Sequence, residues 1–314
     1  MTTTHPPEQQ HRPVRRLGDR IFSGSARTAG IAILVILAGV AAFLVLESVP
    51  ALTAPAEDLP GGEGLVAYVG PLIFGTLISA VIALVVATPL AVAIALFITY
   101  YAPRRIAQAL GYVVDLLAAI PSIVYGFWGI AWLAPTLVPF YRWLEDNLGF
   151  IPLFAGPTSS TGRTMLTAGL VLAIMILPII SALAREVFGQ TPALQREAAL
   201  ALGATRWEMI RMTVIPYGRS GVIGGAMLGL GRALGETMAI ALVLSVSGGI
   251  TFNLISSGNP STIAANIALT FPESSGLAVN TLIASGLALF LITLLVNTLA
   301  RWIVNRRADF SGAN

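Results

Sequence analysis

Long apolar stretches separated by short charged segments make up most of the chain. Six of these stretches are long enough to cross a bilayer as helices, because a hydrocarbon core of about 30 Å needs about 20 apolar residues. The pattern predicts an all-α, polytopic membrane protein with one tail, residues 1–28, before the transmembrane domain, 29–300, and a second tail, 301–314, after it. The six predicted spans are roughly 29–47, 65–101, 106–134, 164–184, 217–247 and 277–300.

The first apolar run has a rival interpretation as a cleaved signal peptide, since the pair Arg15-Arg16 precedes it. However, the run is long for the core of a signal peptide, and the chain stays hydrophobic beyond it. An uncleaved first span is therefore the favoured interpretation.

The arginines indicate how the spans are oriented. All 18 basic residues are arginine, and 15 of them lie in segments that would share one side of the membrane. Only Arg142 and Arg163 lie on the opposite side, in 135–163, which is predicted to be an outer loop that can include an interfacial helix, and Arg232 lies inside the fifth span. A second outer loop, without arginine, is predicted at 248–276. Because positive charge concentrates on the cytoplasmic side, the distribution predicts that both termini are cytoplasmic and that residues 185–216 form a cytoplasmic loop.

Composition narrows the classes of site that the chain can hold. It is 56% hydrophobic and 11% charged, with a mean hydropathy of +0.82. There is no cysteine, and both histidines, His5 and His11, lie in the N-terminal tail, so we expect no metal site and no bound cofactor. Without lysine the chain has no phosphate-binding G-x-x-x-x-G-K-[ST] motif, and we expect it not to be an enzyme.

The fifth predicted span carries a charge pair, Arg232 and Glu236, deep in an apolar stretch. On an uninterrupted helix the pair shares one face with Gly221, Gly225 and Gly229, and glycines at this spacing let another helix approach closely. The pair therefore faces protein or a cavity, since lipid contact at this depth is costly. It is either an i,i+4 ion pair that fixes packing or part of a substrate pathway, which we favour.

Arginine suits an oxyanion, because its planar fork of donors matches the oxygens and keeps its charge when desolvated. On the pathway interpretation, Glu236 orients Arg232 and offsets its charge while the path is empty. Asp115 is a second acid inside a predicted span. It either forms hydrogen bonds within the bundle, which we favour, or lies near the cytoplasmic mouth of the pathway.

Residues 189–216 differ from an ordinary loop. Thr191 is a candidate helix cap with Pro192 in the first turn, and Gly203 suits a left-handed helix end. A second short helix then runs toward Pro216. Four residues offer it an apolar face: Trp207, Ile210, Met212 and Val214. The pattern predicts a cytoplasmic helix–turn–helix elbow that docks into a partner's groove; the alternative is an amphipathic pair that touches only lipid heads.

Within the elbow, Glu197-Ala198-Ala199, then Gly203 and an apolar-x-apolar-Pro ending at Pro216, resemble the EAA loop of ABC importer permeases. The resemblance implies the type I ABC importer permease fold. It also implies that the elbow is a coupling helix seated in an ATPase subunit, with Glu197, Ala198 and Gly203 at the contact.

Two further stretches, 118–126 and 221–239, are similar to those of PstC-type permeases of high-affinity phosphate importers, and the similarity runs from about residue 70 onward. It implies a permease that forms half of the path for inorganic phosphate. In that family the positions matching Arg232 and Glu236 are implicated in transport. The alternatives are a permease for another oxyanion, such as sulfate or molybdate, or a secondary transporter or channel, which has no need of an elbow.

The implied partners are a PstA-type permease, two PstB-type ATPases that use ATP and Mg²⁺, and a PstS-type phosphate-binding lipoprotein outside. The implied location is the bacterial inner or plasma membrane, with lipid around a multi-pass chain and no nucleic acid.

Overall fold

The computed structural model describes residues 17–247 and 249–308, which contain twelve α-helices and no β-strand. The predicted all-α class is confirmed. The rest of the two predicted tails, residues 1–16 and 309–314, lies outside the described residues. The helices are α1 Leu17–Thr53, α2 Leu65–Leu96, α3 Arg104–Ala118, α4 Ser122–Trp128, α5 Ala134–Leu148, α6 Met165–Gly189, α7 Ala193–Ala201, α8 Arg206–Met209, α9 Ile215–Leu234, α10 Met238–Val243, α11 Ile263–Thr270 and α12 Leu277–Ala308.

Three π-helical turns follow or connect some of these helices. Five helical segments of the described chain are long and apolar enough to cross a membrane. The π-turns are Phe97–Tyr101 after α2, Gly129–Leu133 between α4 and α5, and Ile210–Val214 between α8 and α9. The five segments are Ile21–Thr53, Leu65–Tyr101, Ser122–Leu148, Met165–Gly189 and Leu277–Trp302. The chain divides into two compact units after Glu47. The described part of the first unit is most of α1, and the core described below belongs to the second unit.

The core is built on the close contact of α2 with α6. Every third or fourth residue of α2 along the contact is an alanine that is at most 1% exposed. Such a face lets two helix backbones approach closely, which is how packing stabilises helices where lipid removes the hydrophobic driving force. The alanines are Ala80, Ala83, Ala87, Ala91 and Ala95.

The glycines of α9 also pack against α6, as the glycine spacing predicts. A Cβ at Gly221 would overlap Val187, and a Cβ at Gly229 would lie 3.1 Å from the Ile180 side chain. Gly225 continues the same face. The helix α6 therefore contacts both the alanine face of α2 and the glycine face of α9, and these two helices also contact each other.

Two predicted spans are interrupted. The expected helix across 106–134 stops after Ala118 and resumes at Ser122, and α4 and α5 continue to Leu148, where an outer loop was expected. Pro121 explains the break, because it lacks an N–H and its ring clashes with the preceding turn. The expected helix across 217–247 stops at Leu234, and only the short α10 follows.

The segment after α10 is also more ordered than the predicted outer loop, 248–276. It contains α11, which begins after Thr262, whose hydroxyl accepts from the N–H of Ala265. The backbone N–H of Ile263 donates to the hydroxyl of Thr76 in α2 at 3.0 Å. The segment is thereby attached to the helical core.

The α6–α9 contact gives a stability prediction. Gly221→Ala should destabilise the protein by about 1–3 kcal/mol, since added volume in a packed interface costs that much. Gly224→Ala is the matched control, because a Cβ at Gly224 meets nothing within 4 Å. Thermal unfolding in detergent should show a lower midpoint for the Gly221 variant only, and equal midpoints would contradict this packing.

Candidate functional site

The candidate site lies where α9 ends. Arg232 is in the last turn of α9 and is half-buried. Within the described part of the chain it forms neither an ion pair nor a hydrogen bond. A Cβ on the neighbouring Gly231 would meet nothing within 4 Å. Arg232 is therefore a half-buried guanidinium whose donors have no partner among the described residues.

Glu236 has a different partner from the one expected. It is 8% exposed, and its Oε1 accepts a hydrogen bond from the backbone N–H of Ala239 at 3.1 Å. The carboxylate thus satisfies a free N–H at the start of α10. The i,i+4 ion pair with Arg232, which was the less favoured alternative, is not among the ion pairs of the described residues, because α9 ends at Leu234 and the helical spacing does not continue through Gly235.

Arg163 holds the other end of α10. Its Nη2 donates to the carbonyl oxygens of Leu242 at 3.1 Å and Leu244 at 3.2 Å. A cation at the carboxyl end and the carboxylate of Glu236 at the amino end both suit the helix dipole. The arginine count placed Arg163 in an outer segment and did not predict its contact with α10. Its position directly before Thr164, the capping residue of α6, was the one sequence feature that indicated a fixed place in the fold.

The segment following α10 is fastened by one asparagine. Asn259 is fully buried, and its Nδ2 donates to the carbonyls of Ser256 at 3.0 Å and Ser245 at 3.2 Å. Its Oδ1 accepts from the N–H of Met165 at 3.2 Å. Because buried backbone groups are costly when unpaired, this side chain allows extended chain to lie inside the protein beside α6.

The break between α3 and α4 packs against α10. The hydroxyl of Tyr125 donates to the carbonyl of Leu117 at 2.8 Å, so a carbonyl at the end of α3 has a partner. A Cβ at Gly126 would lie 2.9 Å from the Cα of Ala239, so only glycine permits this approach. The stretch 118–126, singled out in the sequence, therefore places α4 on the helix that follows Arg232.

Asp115 lies elsewhere. Its Oδ1 is 2.7 Å from the Nη2 of Arg185, and the two side chains are 59% and 20% exposed. This ion pair links α3 to the carboxyl end of α6. The structure therefore gives Asp115 a bond within the bundle, and does not place it with Arg232 or Glu236.

The elbow consists of α7 and α8. Gly203 follows α7 with φ of +88°, which confirms the predicted left-handed helix end. The predicted cap Thr191 is wrong, since α7 begins at Ala193 and the buried Thr191 hydroxyl has no hydrogen-bond partner. Pro192, with ψ of 132°, is extended and stands just before the helix rather than in it.

A capping box that the sequence analysis overlooked starts α8. Thr205 Oγ1 accepts from the N–H of Glu208, and the Glu208 carboxylate accepts from the N–H and hydroxyl of Thr205. The backbone hydrogen bond, followed by the hydroxyl hydrogen bond, lowers the pKa of Glu208 below its ordinary value. The signal was present as Thr-x-x-Glu in the sequence.

Many residues of the elbow are exposed. Glu197, Ala198 and Gly203 are all exposed. Of the four residues proposed for an apolar face, Ile210 and Val214 are buried, whereas Trp207 and Met212 are more than half exposed. The elbow also exposes Leu194, Leu200 and Leu202. An apolar surface of this kind indicates a docking site.

Chemically, the site offers one arginine without a counter-ion at a helix break. No three of His, Cys, Asp and Glu are grouped to hold a metal among the described residues. The arrangement places a cationic side chain at a helix break, in a protein that also exposes the apolar side chains of the elbow. Such a fold and site define a membrane permease that works with other subunits.

The chain belongs to the family of binding-protein-dependent transport system inner membrane components, whose sequence profile matches residues 87–309. It is thus a multi-pass transport subunit of an ABC system. It is 47% identical over 310 residues to the phosphate transport system permease protein PstC 2 of Mycobacterium tuberculosis, covering 95% of each chain. It is 41% identical over 313 residues to the PstC protein of Mesorhizobium japonicum, covering 96% of this chain and 94% of the relative.

Solved structures show the same fold at low sequence identity. A bacterial ABC transporter involved in the import of the acidic polysaccharide alginate matches with a TM-score of 0.53 at 17% identity, covering 91% of this chain and 99% of that one. The inward-facing MetNI methionine ABC transporter matches with a TM-score of 0.50 at 17% identity, covering 77% and 95%. These matches confirm the predicted ABC importer permease fold.

The cap on α10 is testable. Glu236→Ala should destabilise the protein by about 1 kcal/mol, since that is the usual cost of losing a helix cap. Glu236→Gln keeps an oxygen that accepts from the Ala239 N–H, so it should be milder. Unfolding midpoints of the purified protein distinguish the two. Equal loss in both variants would show that the negative charge, rather than the hydrogen bond, is what this position supplies.

Proposed function

We propose that the chain is the permease subunit of an ATP-driven, high-affinity importer of inorganic phosphate, in which it forms half of the translocation path. The observation that carries the proposal is the unpaired Arg232 beside the break between α9 and α10. Relatives that share 41–47% of its residues are named as phosphate permeases, which favours phosphate over sulfate or molybdate.

Arg232 acts as a fixed positive charge that a passing phosphate meets. Phosphate carries between one and two negative charges near neutral pH, and the guanidinium fork matches two of its oxygens. Glu236 is engaged with the N–H of Ala239, so it does not compete with the anion. Its role is to keep α10 in place beyond the break rather than to neutralise Arg232.

The proposal for the remaining subunits rests on the resemblance to PstC-type permeases. A PstA-type permease supplies the other half of the path, and a PstS-type lipoprotein delivers phosphate from outside. Two PstB-type ATPases bind ATP and Mg²⁺, and one of them receives the exposed elbow around Glu197, Ala198 and Gly203. The complex lies in the bacterial inner membrane. The family description, which names a binding protein and the inner membrane, supports this assignment.

Arg232→Gln should reduce phosphate uptake by at least about tenfold, equivalent to about 1.4 kcal/mol. Assembly should be normal, because no described residue depends on Arg232 for an ion pair. Arg219→Gln is the matched control, since it removes an exposed arginine from the same helix. Radiolabelled phosphate uptake at equal membrane abundance is the measurement.

The double variant Arg232→Gln with Glu236→Gln separates this proposal from an ion pair that serves only packing. If phosphate meets Arg232, the double variant should transport as poorly as the single one. Near-normal uptake by either variant would refute the pathway role.

Gly203→Val should weaken ATPase binding, because a β-branched residue resists the positive φ of this turn. Gly189→Val is the matched control, since Gly189 lies at the end of α6 with no positive φ and with space for a Cβ. Co-purification of the ATPase subunit and its stimulated hydrolysis should fall in the Gly203 variant alone. Unchanged assembly and hydrolysis would exclude this turn from the docking surface.

A further inference from the structure

The end of α2 is the place where the elbow meets the transmembrane helices. There α2 continues into the π-turn Phe97–Tyr101, and the hydroxyl of Tyr100 donates to the carbonyl of Phe188 at 2.6 Å. This bond ties the end of α2 to the last turn of α6. Single π-turns within helices often mark functional positions.

Both elbow helices contact the same π-turn. From α7, the guanidinium carbon of Arg196 lies 5.8 Å from the centroid of the Tyr100 ring. From α8, Nη1 of Arg206 donates to the carbonyl of Tyr100 at 3.4 Å, and its guanidinium carbon lies 5.7 Å from the centroid of the Tyr101 ring. Cation–π contacts at these distances are favourable. Tyr100 therefore contacts α6, α7 and α8 at once.

An apolar cluster lies beneath these contacts. It joins the ends of α2 and α6 to the segment that follows the elbow, and all its members are at most 6% exposed. They are Ala95, Leu96, Ala184, Phe188, Met209, Ile210 and Val214. Because packed interiors deform little, the end of α8 and the π-turn after it move together with α2 and α6. In contrast, α7 carries most of the exposed elbow surface and has no residue in this buried set, although its half-buried Ala199 packs against the set, as Tyr100 does.

We propose that Tyr100 is a positioning residue that connects α7 to the transmembrane core, so that a displacement of the elbow is passed to α2 and α6. The inference rests on the proposed function, because it assumes that an ATPase moves the elbow. The Tyr100 ring receives the displacement from Arg196, and the Tyr100 hydroxyl passes it to the backbone of α6. Without the hydroxyl, the elbow still binds the ATPase but moves less of the path.

The test compares two tyrosines side by side. Tyr100→Phe removes the hydrogen bond to Phe188 and keeps the ring under Arg196, whereas Tyr101→Phe is the matched control, since the Tyr101 hydroxyl has no hydrogen bond in the described chain. The complete complex in vesicles, supplied with ATP, gives phosphate uptake and ATP hydrolysis in parallel. We expect Tyr100→Phe to lower uptake per ATP by about fivefold, which corresponds to one hydrogen bond of about 1 kcal/mol.

A second pair of substitutions tests the contact between the Tyr100 ring and Arg196. Tyr100→Leu should lower the ratio further, and adding Arg196→Gln in that background should change nothing more, because the two residues act through one contact. Ratios that are equal in the Tyr100→Phe and Tyr101→Phe variants, with normal wild-type transport, would overturn this inference alone. A wild-type complex that hydrolyses ATP without importing phosphate would overturn the proposed function and this inference with it.

Discussion

A helix that breaks inside a membrane must find partners for the backbone groups that the break exposes, because lipid offers none. Three side chains meet this requirement around α10. Glu236 accepts from the Ala239 N–H, Arg163 donates to the carbonyls of Leu242 and Leu244, and Tyr125 donates to the end of α3. These hydrogen bonds stabilise the irregular backbone beside Arg232. The side chain of Arg232 takes no part in them.

The helical class and the helix–turn–helix elbow were predictable, because they depend on periodicity and on local backbone preference, whereas two of the six predicted spans, 106–134 and 217–247, are interrupted in the structure. Gly203 is an example, since a glycine after an amphipathic helix specifies a left-handed turn whatever surrounds it. Glu236 is the opposite case. The alternative in which it pairs with Arg232 assumed an unbroken helix, and Gly235 did not stand out as the end of α9 because several glycines also lie inside that helix.

Contacts between segments distant in sequence could not be predicted, because local patterns do not report them. Arg163 meets Leu242 across 79 positions and Tyr100 meets Phe188 across 88, and no spacing rule links residues so far apart. The residues themselves are noticeable in the sequence: Arg163 lies in a predicted outer segment, and Tyr100 belongs to a tyrosine pair just before Arg104. Such residues become informative only when the packing of α2, α6 and α10 is known.

The unpaired state of Arg232 also bears on the energy source. An anion moving inward against an inside-negative membrane potential pays about 2.3 kcal/mol per charge for each 100 mV. A guanidinium fixed on α9, about 20 Å along the helix from Arg219, attracts the anion on entry and holds it back equally on departure. Over a full cycle this charge performs no net electrical work. Under the proposed function, Arg232 would therefore lower the barrier only, and the uphill part of the transfer would have to be driven by subunits that bind ATP.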